Sequence, residues 1–587
     1  MEITIKTLSS CLNRNLNLHH QQTGENGHVE YSWSSLQLGT FEEIKENILQ
    51  IYFQLVRCTD REKDRFQSLK DKYRLVLQSI SLFPPNKNNT QNNKEYLLNV
   101  MYKLVSHTRD IHNGKGEYLL SYMMILIWHE VIGQHHAEQL LSFFVGKNCL
   151  GLGSWKDMKY LSLYCRDETG DSNHPLIQHC ISLMNTQLYR DVGTEIESKS
   201  RKQSLVAKWI PRENSKKFGW LFGPLAKDYF FYYFSTTTTV EAKTKALNKA
   251  KMNYRKICSS LNKSLDTVQI KQCANTWSDI DYKHVTSITL SKQNSAFLNM
   301  KKDGKRRSEE DDRIVASYIF EKYIEERLQS GKEVNGKCVT MSDFVSRALK
   351  LLEEEAMDSS LKQVQTDLLN SQWRDQSNET PALKNMVAMV DVSSSMNGLP
   401  LLTAIGLGCR IAEKSALGKR VMTFSSNPTW INLEETTNFV EMVSLIKHTH
   451  WGGNTNFYAA LNMILETFIT VRVPPEDVEN LSLVILSDMQ MNEASSMDND
   501  TLYGIMKKKY ADAGKRVFGK PYNPPHIVFW NLRSTDGFPN VSTQKNTSMI
   551  SGYSPSLLKL FCEGREAVHR LDPWTILMET LKPYESI

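Results

Sequence analysis

Met386-Val-Ala-Met-Val-Asp391-Val-Ser393-Ser-Ser395-Met396 is the stretch from which the architecture can be read. Its first five residues form an unbroken apolar run, the mark of a strand buried on both faces. The run ends in an aspartate, followed two and four residues on by hydroxyls. A tight loop at the strand's carboxyl end then aims a carboxylate and two hydroxyl oxygens at one point. Hard cations such as Mg²⁺ take such oxygen ligands. The competing reading of Asp-x-Ser-x-Ser is an ordinary Asx or Ser turn.

Outward from this stretch the same grammar repeats. Arg420–Phe424, Leu481–Leu486 and His526–Asn531 are further strands, with a last short one at Met549–Ile550. Helical periods fall between and after them, at 399–417, 437–447, 456–470, 498–510, 555–562 and 571–581. Continuous apolar strands alternating with helices predict a doubly wound, mostly parallel α/β sheet over residues 383–587, and such sheets bind ligands at the carboxyl ends of their strands. Two more loops at those ends carry suitable chemistry. Trp451-Gly-Gly-Asn-Thr455 has two glycines for close backbone approach and a hydroxyl at a helix head, and Leu486-Ser-Asp488 brings a second strand-end carboxylate. The predicted ligand set for Mg²⁺ (or Mn²⁺) is therefore Asp391, Ser393, Ser395, Thr455 and Asp488.

This order, Asp-Ser-Ser, then Thr, then Asp, each after the right kind of element, resembles the von Willebrand A domain with its metal-ion-dependent adhesion site. The chain also resembles a narrower family without assigned activity, DUF2828, over roughly residues 40–587. That resemblance rests on Val390–Met396, His450–Asn456, Leu486–Met489 and Ser551-Gly-Tyr-Ser-Pro555. In the first half it rests on His107–Glu117, Gly153-Ser-Trp-Lys-Asp157, Ala207-Lys-Trp-Ile-Pro211 and Trp277-Ser-Asp-Ile-Asp281. More distantly the layout is similar to the Ro (TROVE-domain) ribonucleoproteins, which join a helical-repeat ring to an A domain and bind structured RNA. The link is Thr108–Glu117, and it implies a basic turn offering Arg109 and Lys115 to phosphate. The bland alternative is a helix–helix connection capped by Gly114 and Gly116.

Before residue 371 no strand-like alternation is evident. Residues 1–40 read as a poorly ordered arm and 41–370 as a helical domain, HEAT-like or TROVE-like, either a solenoid or an irregular bundle. Residues 371–382 read as a polar linker. Pro84–Lys94, with no large apolar residue, reads as a surface loop. Lys301–Arg313 changes sign midway, which suits a solvated loop and helix start.

The 587 residues carry a net charge of +6, which permits a nucleic-acid patch without arguing for one. Ten cysteines show no Cys-x-x-Cys pairing, as expected of free thiols in a reducing compartment. No secretory signal is visible, and the strongest apolar run, Tyr118–Trp128, is shorter than the ~20 residues a membrane helix needs. An intracellular protein, cytoplasmic or nuclear, with no membrane partner is expected.

His129-Glu130 lacks the second histidine of a zinc-protease helix, because Gly133 stands there. Gly406-Leu-Gly408 lies inside a helix and lacks a third glycine, so it is no dinucleotide loop. Tyr229–Phe234 suits core packing better than base stacking. The expected function is non-enzymatic: a metal-dependent A-type domain captures a partner protein's carboxylate, and the helical half offers a surface for structured RNA. The alternative is an RNA-binding scaffold with a structural or vestigial metal, its salt dependence carried by basic helices such as 241–262. A metal-assisted hydrolase ranks last, for want of a placed general base.

Overall fold

A computed structural model describes residues 21–25, 27–34, 40–58, 63–83, 93–145, 151–196, 203–301, 304–354, 358–424, 427–449, 451, 456–490, 501–562 and 571–586. The surface loop expected at Pro84–Lys94 lies almost wholly outside these residues. Two short strands, β1 (Gln21–Thr23) and β2 (Val29–Tyr31), pair antiparallel at the start. The helices of the first half are α1 (Phe41–Gln54), α2 (Lys63–Ser81), α3 (Asn93–Arg109), α4 (Tyr118–Val131), α5 (Gln134–Ser142), α6 (Trp155–Thr169), α7 (Pro175–Ile196), α8 (Val206–Trp209), α9 (Phe222–Tyr229), α10 (Val240–Ser264), α11 (Val268–Ala274), α12 (Ser287–Phe297), α13 (Asp311–Gln329), α14 (Met341–Glu353) and α15 (Ser359–Ser377). Local chemistry sets their starts: Thr40 and Glu43 form a capping box at α1, and Ser154 and Asp157 form another at α6.

The second half is a six-stranded sheet in the order β5-β4-β3-β6-β7-β8. Its strands are β3 (Met386–Asp391), β4 (Arg420–Phe424), β5 (Thr429–Asn432), β6 (Ser482–Ser487), β7 (His526–Asn531) and β8 (Thr547–Ser551). Every pairing is parallel except β4–β5. All residues of β3, β6 and β7 are buried, as their continuous apolar runs require. Within β3 the side chains alternate between two cores. Val387 and Met389 join one with the helical half, and Ala388 and Val390 join another with α14, α15 and α16 (Leu399–Lys414). On α16, a Cβ at Gly408 would stand 2.6 Å from Val390 Cγ2, so the glycine serves close helix–sheet packing.

The chain runs outward from β3 to β4 and β5, then returns to the other side of β3 as β6, β7 and β8. The connection therefore reverses between β3 and β6. At such a switch point the two flanking loops part and leave a crevice at the carboxyl ends. Val390 pairs with Leu486, so β3 and β6 end at the same rim, one with Asp391 and the other with Ser487 before Asp488.

Two expectations are corrected. Within the supposed poorly ordered arm, the described residues 21–25 and 27–34 carry the β1–β2 pair and dock on the sheet domain. Tyr31 exchanges backbone hydrogen bonds with Phe538, and Trp33 packs edge-on against the Phe538 ring at 4.9 Å. The supposed linker 371–382 is helical to Ser377 and largely buried. Trp373 stacks on Phe439 at 3.9 Å, and the Gln376 amide donates to the Val339 carbonyl, so the polar residues that suggested a linker serve as internal partners. The two halves are also in direct contact: α1 lies on β8, with the Ser551 hydroxyl donating to Tyr52 O and the Asn531 amide, at the end of β7, donating to Phe53 O.

No helix among the described residues is long and apolar enough to cross a membrane. The eight described cysteines are all free thiols.

Candidate metal centre

Four of the five predicted ligands are placed. Asp391 is the last residue of β3, and Ser393 and Ser395 lie on the turn that follows, where residues 394–396 make a single 3₁₀ turn. Asp488 follows β6 directly. Thr455 lies outside the described residues, as do Gly452 and Gly453; the helix after them, α18 (Phe457–Val471 in chain order after α17, Phe439–Lys447), begins where the sequence places it.

The two carboxylates are fully buried, Ser393 is nearly so, and Ser395 is half-buried. The Ser393 backbone N–H donates to Asp391 Oδ1 at 2.9 Å, which folds the loop back over the strand end. The Ser393 and Ser395 hydroxyls stand 3.1 Å apart. Burial, and then the charge of Asp488, push the Asp391 carboxyl up to about 7. Burial likewise raises Asp488. Two carboxylates pressed together away from water are costly unless a cation compensates them. Met489, directly after Asp488, holds a left-handed backbone (φ +63°), a strained conformation for a long side chain and one that concentrates at functional sites.

Neighbours that sequence reading did not nominate complete the arrangement. The Ser487 hydroxyl donates to Asp391 Oδ2 at 2.6 Å. Arg533, two residues beyond β7, places Nη1 3.2 Å from Asp488 Oδ2. The backbone of Gln490 donates to Asp488 Oδ1 at 3.2 Å, and its side chain accepts from Glu25 N at 2.8 Å, tying the N-terminal hairpin to the rim. The signal that could have found Arg533 is its position just past the carboxyl end of the strand adjoining β6.

Among the described residues no three His, Cys, Asp or Glu side chains cluster as metal ligands. The candidate donor set is of another kind, two carboxylates and neutral hydroxyls, and the residues present fit a hard divalent ion.

Arg109 and Lys115 are not available to RNA phosphates. Both are buried. Arg109 makes a bidentate pair with Asp157, Nε to Oδ1 at 3.0 Å and Nη2 to Oδ2 at 2.6 Å. Lys115 gives its three N–H groups to Tyr52 O, Leu55 O and the Ser551 hydroxyl, so it joins α1 to β8. The loop between α3 and α4 is a structural junction, as its bland reading had it.

Beside Lys115 lies His107, wholly buried, with neither ring nitrogen hydrogen-bonded among the described residues. Burial, and then the Lys115 charge, push its pKa down to about 3. The unfolded chain takes up this proton near the ordinary pKa of ~6.5. Between those values the unfolded state binds more protons, so stability falls as pH falls. At pH 4.5 the loss attributable to this one residue is expected to be about 3 kcal/mol. Urea midpoints at pH 7 and 4.5 check it: His107→Leu should show a clearly smaller drop than wild type, and an equal drop would count against the assignment.

Comparison with known proteins agrees with the two-part architecture. The model of a Domain of unknown function (DUF2828) matches residues 155–379, and that of a second, Domain of unknown function (DUF7788), matches residues 385–579. The first match ends and the second begins between α15 and β3, so the DUF2828 resemblance read from the sequence is shown over residues 155–379. An uncharacterized protein of Acanthamoeba polyphaga mimivirus is 25% identical over 500 residues, covering 83% of this chain and 80% of that protein.

Proposed function

We propose that this chain, which matches DUF2828 and DUF7788 in tandem, is a non-enzymatic binding protein whose sheet domain, of the von Willebrand A type, captures an acidic group of a partner protein. The observation that carries the reading is the convergence of Asp391 and Asp488, both buried, with the Ser393 and Ser395 hydroxyls at the switch point of the sheet. Asp391, Ser393, Ser395 and Asp488, with Thr455, which lies outside the described residues, would hold the Mg²⁺ or Mn²⁺. Bound there, the ion would supply an electrophilic position for an incoming carboxylate. Three of the five donors are neutral hydroxyls, so the protein's own ligands contribute no more than the two carboxylate charges. Ser487 fixes the orientation of Asp391 by its hydroxyl, and the strand-end position of both aspartates makes the site rigid.

A catalytic role is not favoured. Among the described residues Ser393, Ser395, Ser487, Gln490 and Arg533 are the neighbours bonded to the two aspartates, and none is a general base for activating water.

Arg533 holds a positive charge against Asp488 and so opposes a second cation there. Arg533→Gln is expected to tighten Mg²⁺ binding by roughly tenfold, read by calorimetric titration beside wild type. No heat of binding in either protein would refute the metal site.

A further inference from the structure

Two of the motifs quoted from the sequence, Gly153–Asp157 and Ala207–Pro211, come together in space, where α6 packs against α8. Lys156 and Lys159 lie one turn apart near the start of α6, and Lys217 belongs to the loop before α9. All three ammonium groups lie within 6 Å of the Tyr160 ring centroid, at 4.8, 5.8 and 5.4 Å. Lys159 also sits 4.9 Å from the Trp209 ring and 5.0 Å from Phe218, and Lys156 sits 5.4 Å from the exposed ring of Tyr118.

Among the described residues none of the three ammonium groups makes an ion pair with a carboxylate, and Asp157 only partly offsets the charge of Lys156. Asp157, next to Lys156, is spent on Arg109. Glu213, four residues before Lys217, pairs with Lys251 and Arg255. Lys156 and Lys159 are half-buried, and burial lowers the pKa of both; at Lys156 the Asp157 carboxylate works against this, while Arg109, Lys292 and Lys217 add repulsion. Three like charges around one ring repel, and the ring faces compensate them only in part. A packing role does not call for such a cluster. It does suit an anion whose several oxygens accept from more than one ammonium at once, which a phosphoryl group offers, next to flat surfaces that bases stack on.

We infer that Lys156, Lys159 and Lys217, with the aromatic rings beneath them, form a binding site for the phosphates of nucleotide units, free or in a single-stranded chain. The site is separate from the carboxylate-capture centre and does not rest on it. It also differs from the α3–α4 loop and from α10, where the sequence had suggested nucleic-acid contacts.

The test is fluorescence anisotropy on the full chain with labelled 20-nucleotide oligouridylate and labelled ATP, in EDTA so that the metal centre plays no part. The Lys156→Gln/Lys159→Gln/Lys217→Gln variant is expected to weaken binding at least tenfold, while Lys→Arg at the same positions retains it. If the oligonucleotide binds, its affinity should fall with salt with a log–log slope of about −2 at this cluster, and the slope should vanish in the Gln variant. Binding of ATP alone would identify a free nucleotide as the source, and binding of the oligonucleotide alone a chain. The inference is overturned if neither probe binds, if the Gln variant binds like wild type, or if the loss follows Lys243→Gln/Lys245→Gln/Lys256→Gln on α10 instead. It is also overturned if the cluster retains polyglutamate but neither phosphate probe.

Discussion

Arg109→Ala is expected to destabilise the helical half by about 3–5 kcal/mol, because it strands a buried carboxylate. Asp157 is almost wholly inaccessible, and it accepts from Arg109, from the Tyr122 hydroxyl and from Ser154 N at 2.7 Å. Removing the guanidinium leaves that charge uncompensated at the head of α6. Much of the loss is the penalty of the orphan, not the intrinsic worth of the pair, so neutralising both partners should cost less than removing one. Arg109→Met/Asp157→Asn should therefore recover at least half of the loss, since asparagine can still accept from Ser154 N. Urea unfolding followed by helical circular dichroism measures both. A single variant within ~0.5 kcal/mol of wild type would show that the pair contributes little.

Asp391→Ala is expected to abolish the effect of Mg²⁺ on thermal unfolding. A ligand that binds only the folded state stabilises it, by about 2.7 kcal/mol at a hundredfold excess over Kd. Wild type should melt higher in Mg²⁺ or Mn²⁺ than in EDTA, and Asp391→Ala should melt at one temperature in both. In EDTA the order should reverse or level, because the variant removes one of two buried carboxylates that repel each other. An equal metal-dependent rise in both proteins would place the ion elsewhere.

The parts legible in the sequence were those governed by local pattern. The strands β3, β4, β6 and β7 announce themselves because burial on both faces demands unbroken apolar runs, and the placement of Asp391 and Asp488 at the carboxyl ends of β3 and β6 follows from those runs. β5 escaped notice: it is a four-residue edge strand with only Ile431 buried, so its pattern carries almost no apolar signal. The polar run through Ser371, Gln372, Gln376 and Ser377 looked like a linker because hydrogen bonds to distant partners, such as Gln372 to Asn335 O, have no trace in local composition. Arg109 posed the same problem. A basic residue beside a glycine-containing turn reads alike whether it faces solvent or Asp157, and the partner lies 48 residues away. Arg533 reaches Asp488 from beyond a third strand, which requires the strand order to be known.

The most direct test of the proposed capture is retention of the full chain on immobilised polyglutamate, in Mg²⁺ and in EDTA, at an ionic strength that suppresses simple charge attraction. Wild type should be held in Mg²⁺ and released by EDTA, while Asp391→Ala should pass through in both. Retention of both proteins irrespective of EDTA, or passage of wild type that demonstrably binds Mg²⁺, would contradict a metal-dependent carboxylate site.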